Sequence, residues 1–176
     1  MFAAYGILLA LVKLTEREIR AKLEQASEGH PVVACGYGYV GPSIYAVWSA
    51  ALVVLLLGVA IGILTFQSWL FVGGAIVAGL LVYFYLRSKL TFCLVGVTPR
   101  HFIMIDIDRR GQFLPPALQG LSAIQFPKII DKELSTILHY VLGDGTINDV
   151  RFQDFRHLPD NRRAAWRIKK AVLENV

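Results

Sequence analysis

IYAVWSAALVVLLLGVAIGILTF, residues 44–66, and WLFVGGAIVAGLLVYFYL, residues 69–86, are apolar runs separated only by Gln67-Ser68. They hold 23 and 18 residues, and no Asp, Glu, Lys or Arg occurs from residue 31 to residue 86. A helix rises about 1.5 Å per residue, so each run reaches across a hydrocarbon core of about 30 Å, the shorter one nearly upright. Two such runs on a two-residue link predict a membrane helical hairpin. The rest of the chain is therefore expected to work against a bilayer.

Charge is distributed to match. Of 176 residues, 55% are hydrophobic and 18% charged. Residues 1–43 carry four basic and four acidic side chains, whereas residues 87–176 carry fourteen basic against nine acidic, so the whole net charge of +5 lies after the hairpin. A basic region tethered to a membrane is expected to face anionic head groups. Nucleic acid is the other reading of a basic chain, but no nucleic-acid-binding motif is present. Arg87 and Lys89 follow the second run directly and the Gln67-Ser68 turn carries no cation. The positive-inside rule then puts residue 87 onward, and both termini, on the cytoplasmic side. Phe2 to Val12 is apolar but too short to span, and its charges follow it rather than precede it. It reads as an uncleaved interfacial or core-packed segment.

The flanks support an interfacial reading. Tyr37, Tyr39, Tyr45 and Trp48 before and within the first run, and Trp69 at the turn, occupy positions expected of a head-group aromatic belt. Arg87 and Lys89 are expected to reach lipid phosphates from the end of the second run. Gly58-x-x-x-Gly62, with Gly73 and Gly74 on the second run, allows close helix packing, either between the two spans or against another subunit. Cys35 and Cys93 flank the hairpin on one membrane side, close enough in sequence layout for a disulfide, but a cytoplasmic location favours two free thiols.

Outside the hairpin the period changes. Thr15-x-x-Glu18 is a capping box opening an amphipathic helix over about residues 16–28, lying on a membrane, on a partner or on its own domain. After residue 90, strands are expected at Thr91–Val97, around Phe102–Ile107, at Leu121–Phe126 and at Ser135–Leu142. Gly143-Asp144-Gly145-Thr146 then turns into a return strand through Val150 and Phe152. Ala164, Ala165, Ile168, Ala171 and Val172 give a final helix its apolar face, with Asp160 or Asn161 as cap. Its cations Arg162, Arg163, Arg167, Lys169 and Lys170 are either a solvated face or a surface for lipid phosphates or an acidic partner.

The run Leu90-Thr91-x-x-Leu94-x-x-x-Thr98-Pro99-Arg100-x-Phe102-Ile103-Met104, the later Gly143–Thr146 turn, and Phe152 and Phe155 before a last helix resemble the bacterial pleckstrin-homology-like (PH-like) family. The resemblance covers roughly residues 44–174. Pro99 and His101 stand where that family carries a polar residue and a second Arg. The resemblance implies an α+β membrane protein: a two-helix transmembrane hairpin at 44–86, then a small antiparallel β-barrel or sandwich at 87–176 capped by the C-terminal helix, with residues 1–43 as a separate N-terminal segment. It further implies assembly or protein-interaction roles at the inner membrane, sometimes as a homo-oligomer, and no enzyme activity.

Competing chemistry is poorly supported. Gly36-x-Gly38-x-x-Gly41 has dinucleotide-fingerprint spacing but membrane helix stands where the ribose-binding acid is needed, so it reads as a flexible approach to the bilayer. Asp106-x-Asp108-x-x-Gly111 starts like a calcium loop, yet Ala117 holds the twelfth position. The four histidines show no metal spacing, and no nucleophile motif occurs. No catalytic residue, cofactor, metal or small-molecule substrate is expected. The expected partners are membrane lipids and other membrane-protein subunits or a second copy. The expected role is a non-catalytic scaffold, accessory subunit or assembly factor, or alternatively an anionic-lipid-sensing module.

Overall fold

The computed structural model describes residues 14–64, 68–108 and 110–175. The chain forms two compact units, one made of Gly41–Leu90, the other of residues 14–40 together with those from Thr91 onward. In order, the elements are α1 (Glu16–Ala26), β1 (Ala34–Val40), α2 (Ile44–Leu64), α3 (Ser68–Arg87), β2 (Thr91–Val97), β3 (His101–Ile107), β4 (Ala117–Gly120), a 3-10 turn (Leu121–Ala123), β5 (Ile124–Asp131), β6 (Thr136–Leu142), β7 (Ile147–Phe152) and α4 (Asn161–Glu174).

The seven strands form one antiparallel open sheet in the order β4-β3-β2-β1-β7-β6-β5. Its two ends, β4 and β5, are consecutive in sequence and separated only by Leu121–Ala123. A flat seven-strand sheet would hold its edges about 29 Å apart, at about 4.8 Å per strand. Four Cα steps span at most about 15 Å. The sheet must therefore curl.

The curl creates an inner and an outer face, and strand alternation sorts residues between them. Cys93, Val95, Val97, Phe102, Leu138, Tyr140, Val150 and Phe152 point inward, where α4 inserts Ala164, Ala165, Ile168, Ala171 and Val172. Leu94, Ile103, Ile105, Ile107, Cys35 and Tyr37 point outward and are covered by α1 through Ile19 and Leu23 and by Phe155 and Leu158. Each fully buried Ile or Leu contributes about 1.5–3 kcal/mol, so α1 is a working part of this core. The capping box forms as expected: Thr15 N donates to Glu18 Oε2 at 2.7 Å and Glu18 N donates to Thr15 Oγ1 at 3.3 Å. The bonds that Thr15 N and the Thr15 hydroxyl donate to Glu18 Oε2 hold the Glu18 carboxyl below its ordinary range.

Several expectations change here. Residues 14–40 are not a separate segment, because β1 is the central strand, with three strands on each side. The stretch read as flexible, Gly36-Tyr37-Gly38-Tyr39, is that strand. A Cβ on Gly36 would lie 2.6 Å from Ala164 Cβ, and one on Gly38 would lie 2.5 Å from Val150 Cγ1. Glycine there lets α4 and β7 come close, while Gly41, at φ +119, does serve a turn. The strand expected at Leu121–Phe126 begins later and runs on through Pro127 past a bulge between Gln125 and Lys128. Pro is tolerated there because β5 is an edge.

In the other unit, α2 is long and apolar enough to cross a membrane, over the 20 residues Ile44–Ile63, of which only Ile44, Val47 and Gly62 are buried. Within α3 the described apolar helix, Val72–Arg87, is shorter, so among the described residues one helix rather than the expected two is long and apolar enough to span. The helices pack closely: a Cβ on Gly58 would meet Ala75 Cβ at 2.1 Å, and one on Gly79 would meet Ala51 O at 3.3 Å.

Candidate functional site

The last helix concentrates the charged residues singled out above. Its Ile168 stripe faces the core, which turns Arg163, Trp166, Lys170 and Leu173 to the opposite side. Trp166 is 50% exposed and Leu173 57%. Lys169 Nζ lies 5.8 Å from the centre of the Trp166 ring. Arg163 pairs with Asp160 at 3.4 Å and Lys170 with Glu174 at 3.6 Å, all four side chains being well exposed.

The other two paired cations tie α4 to distant elements of the sheet unit. Arg162 donates to the carbonyls of Lys132 at 2.8 Å and Glu133 at 3.0 Å and to Thr136 Oγ1 at 3.3 Å, tying α4 to the β5–β6 turn. Arg167 pairs with Glu16 at 3.1 Å, tying α4 to α1. The outward arc is thus Arg163 and Lys170, with the partly buried Lys169 at its margin, and two residues absent from the sequence reading, Trp166 and Leu173. Helical spacing carried that signal: both stand opposite Ile168.

Of the two expected caps, Asp160 and Asn161, it is Asn161 that anchors the start of α4 with its side chain. Asp160 makes no capping hydrogen bond, and Asp154 Oδ1 accepts from Arg162 N at 2.7 Å instead. Buried Asn161 accepts from Tyr37 N at 2.9 Å and donates to Tyr37 O at 2.6 Å and Gln153 O at 2.8 Å. Strand β7 pairs with β1 only at Gly38 and Tyr39, so the Asn161 amide continues the ladder where β7 departs.

The expected aromatic belt divides. Tyr37 and Tyr39 are core residues of β1, 7% and 1% exposed, and both rings pack with Phe92. That removes them from any membrane interface. Trp48 packs on Tyr83 at 4.9 Å, Arg87 lies over Tyr83 at 6.0 Å and Lys89 over Tyr85 at 5.6 Å. The side chain of Trp69 lies outside the described residues, as do residues 1–13. Of the packing glycines, Gly58 meets the partner helix and Gly62 is buried, while Gly73 and Gly74 have open space beside them.

Other reactive-looking groups are structural in their geometry. Cys35 faces outward and Cys93 inward, on opposite faces of the sheet, so no disulfide can join them; both are buried and free. Burial pushes both thiols up, away from the nucleophilic thiolate. Asp108 Oδ1 accepts from Arg110 N and Gln112 N, each at 2.8 Å, and so closes the β3 turn. Asp144 Oδ1 likewise accepts from Thr146 N at 2.8 Å in the β6–β7 hairpin, which holds its carboxyl below the ordinary range. His139 and Asp149 pair across strands at 2.7 Å. A cavity of about 170 Å³ between α1, β1 and the start of α4 is lined by the Glu16–Arg167 pair, Cys35, His157 and Asn161. Among the described residues, no group of three or more His, Cys, Asp or Glu is placed to hold a metal ion. Comparison with protein-family models, with curated proteins and with solved structures finds no match to this chain.

Proposed function

We propose that this chain is a non-catalytic scaffold, accessory subunit or assembly factor of a bacterial inner membrane. In this reading α2 and α3 form a two-helix transmembrane hairpin, and the sheet unit is a PH-like domain presented to protein partners in the cytoplasm. The observation that carries it is the surface of the helical unit. Leu52, Val53, Leu56, Leu57, Ile61 and Ile63 on α2 are exposed, and α3 exposes Ile76, Val77, Leu80, Leu81 and Phe84. An apolar surface of that extent is stable only against lipid tails or another apolar partner. Arg87 and Lys89 at the end of α3 support a cytoplasmic sheet unit.

The curled seven-strand sheet closed by a C-terminal helix supports the PH-like reading. The hairpin falls between β1 and β2 rather than ahead of the whole domain, which is a departure from the expected order. The test is purification from the host in mild detergent, with identification of stable co-purifying proteins. Recovery of a lone monomer at every detergent strength counts against the scaffold role. The outward face of α4 favours a second reading, an anionic-lipid-binding module.

A further inference from the structure

We propose that the outward face of α4 docks on an anionic lipid surface, with Trp166 as the residue that enters the head-group layer. This rests on the membrane anchoring proposed above and names the site for the lipid-binding reading. Arg163, Trp166, Lys170 and Leu173 share an arc of about 80° opposite Ile168, with Lys169 at its margin. Neither Trp166 nor Leu173 belongs to a core cluster of the sheet unit. An indole and an aliphatic side chain bordered by three cations suit the head-group boundary. There the ring is half apolar and half wet, and lysine stems lie along acyl chains while their ammonium groups meet phosphates.

Charge complementarity selects the occupant. Over its 14 residues α4 carries five basic side chains against one acidic, Glu174. The Arg163–Asp160 and Lys170–Glu174 pairs join exposed groups, which hold weakly, so these cations exchange readily to lipid phosphates. An anchored sheet unit also meets its own bilayer at high effective concentration, whereas a soluble acidic protein has no such advantage.

The test uses the full chain in nanodiscs. Trp48→Phe with Trp69→Phe leaves Trp166 as the sole tryptophan of three. Trp69→Phe with Trp166→Phe leaves Trp48 to report the anchor. Both variants are checked against the parent by far-UV circular dichroism. Brominated phosphatidylglycerol is expected to quench Trp166 and blue-shift its emission. Both effects should be lost in neutral phosphatidylcholine discs, in the Arg163→Gln/Lys169→Gln/Lys170→Gln variant, and at about 1 M salt, where the screening length falls to about 3 Å. Trp166 quenched equally in neutral discs overturns the proposal. So does a Trp166 that responds only when an acidic protein is added. Quenching of Trp48 with none at Trp166 overturns the docking face and leaves the anchor standing; quenching of neither overturns the anchor itself.

Discussion

Asp106 stands across from Cys93 on the inward face of the curled sheet, and its Oδ1 is buried without a hydrogen-bond partner. Burial pushes its carboxyl above the ordinary range, so the folded state binds that proton more tightly than the unfolded chain does. The group's contribution is intact below the ordinary carboxylate pKa and is lost as pH rises through the raised one. Asp106→Asn removes the charge at similar size. It is expected to stabilise the sheet unit by on the order of 1 kcal/mol at neutral pH, with the gain vanishing in acid. Denaturant titrations of parent and variant across pH check this, and a gain that persists in acid contradicts the burial argument. Single residues also show where sequence reading stops. Tyr37 and Tyr39 sit a few positions before an apolar run, where a head-group belt is expected, and nothing local reveals that they lie on a central strand. Trp166 escapes for the opposite reason: a lone aromatic among cations has no motif, and only its helical spacing from Ile168 marks it as outward.

At the scale of elements, β2, β3, β6 and β7 were legible because their β-branched and aromatic residues alternate and their turns carry strong signals. Helices α1 and α4 were legible from the capping box and the spacing of apolar residues. Strand β1 was not. ACGYGYV looks like a loop by propensity, because glycine is poor in strands. The glycines are required by packing that is set by residues more than a hundred positions away, Val150 and Ala164. Strand β4 is only four residues long and largely exposed, so it leaves no apolar pattern to read. The junction between β1 and α4 has its own test. Asn161→Ala strips Tyr37 N–H, Tyr37 C=O and Gln153 C=O of their partner at a buried site. The expected loss is roughly 2–4 kcal/mol, read as a lowered urea midpoint at unchanged m value. A loss below about 0.5 kcal/mol, the usual range for surface substitutions, would show that the ladder does not depend on this amide.

For the whole molecule, the helical unit is an insertion between neighbouring strands. Val40 and Thr91 are direct register partners, although fifty residues, Gly41–Leu90, lie between them. Replacing those fifty with Asn-Gly makes β1–β2 a two-residue hairpin of the type whose twist suits antiparallel strands. The shortened chain is expected to dissolve without detergent and to unfold in one cooperative step, measured by size exclusion and thermal circular dichroism. Persistent insolubility would mean that the sheet unit depends on the inserted helices. A chain starting at Arg87 lacks α1 and β1 and is expected not to fold at all. The same insertion dictates the timetable of biogenesis. Strand β1 leaves the ribosome before either of its neighbours exists, since β2 and β7 are both encoded after the inserted helices. At about 5–20 residues per second, fifty residues take roughly 3–10 s. For that interval the nascent central strand has no native pairing available, so the whole helical insertion is synthesised before the β-structure can begin to close, and holdase chaperones have their natural window there.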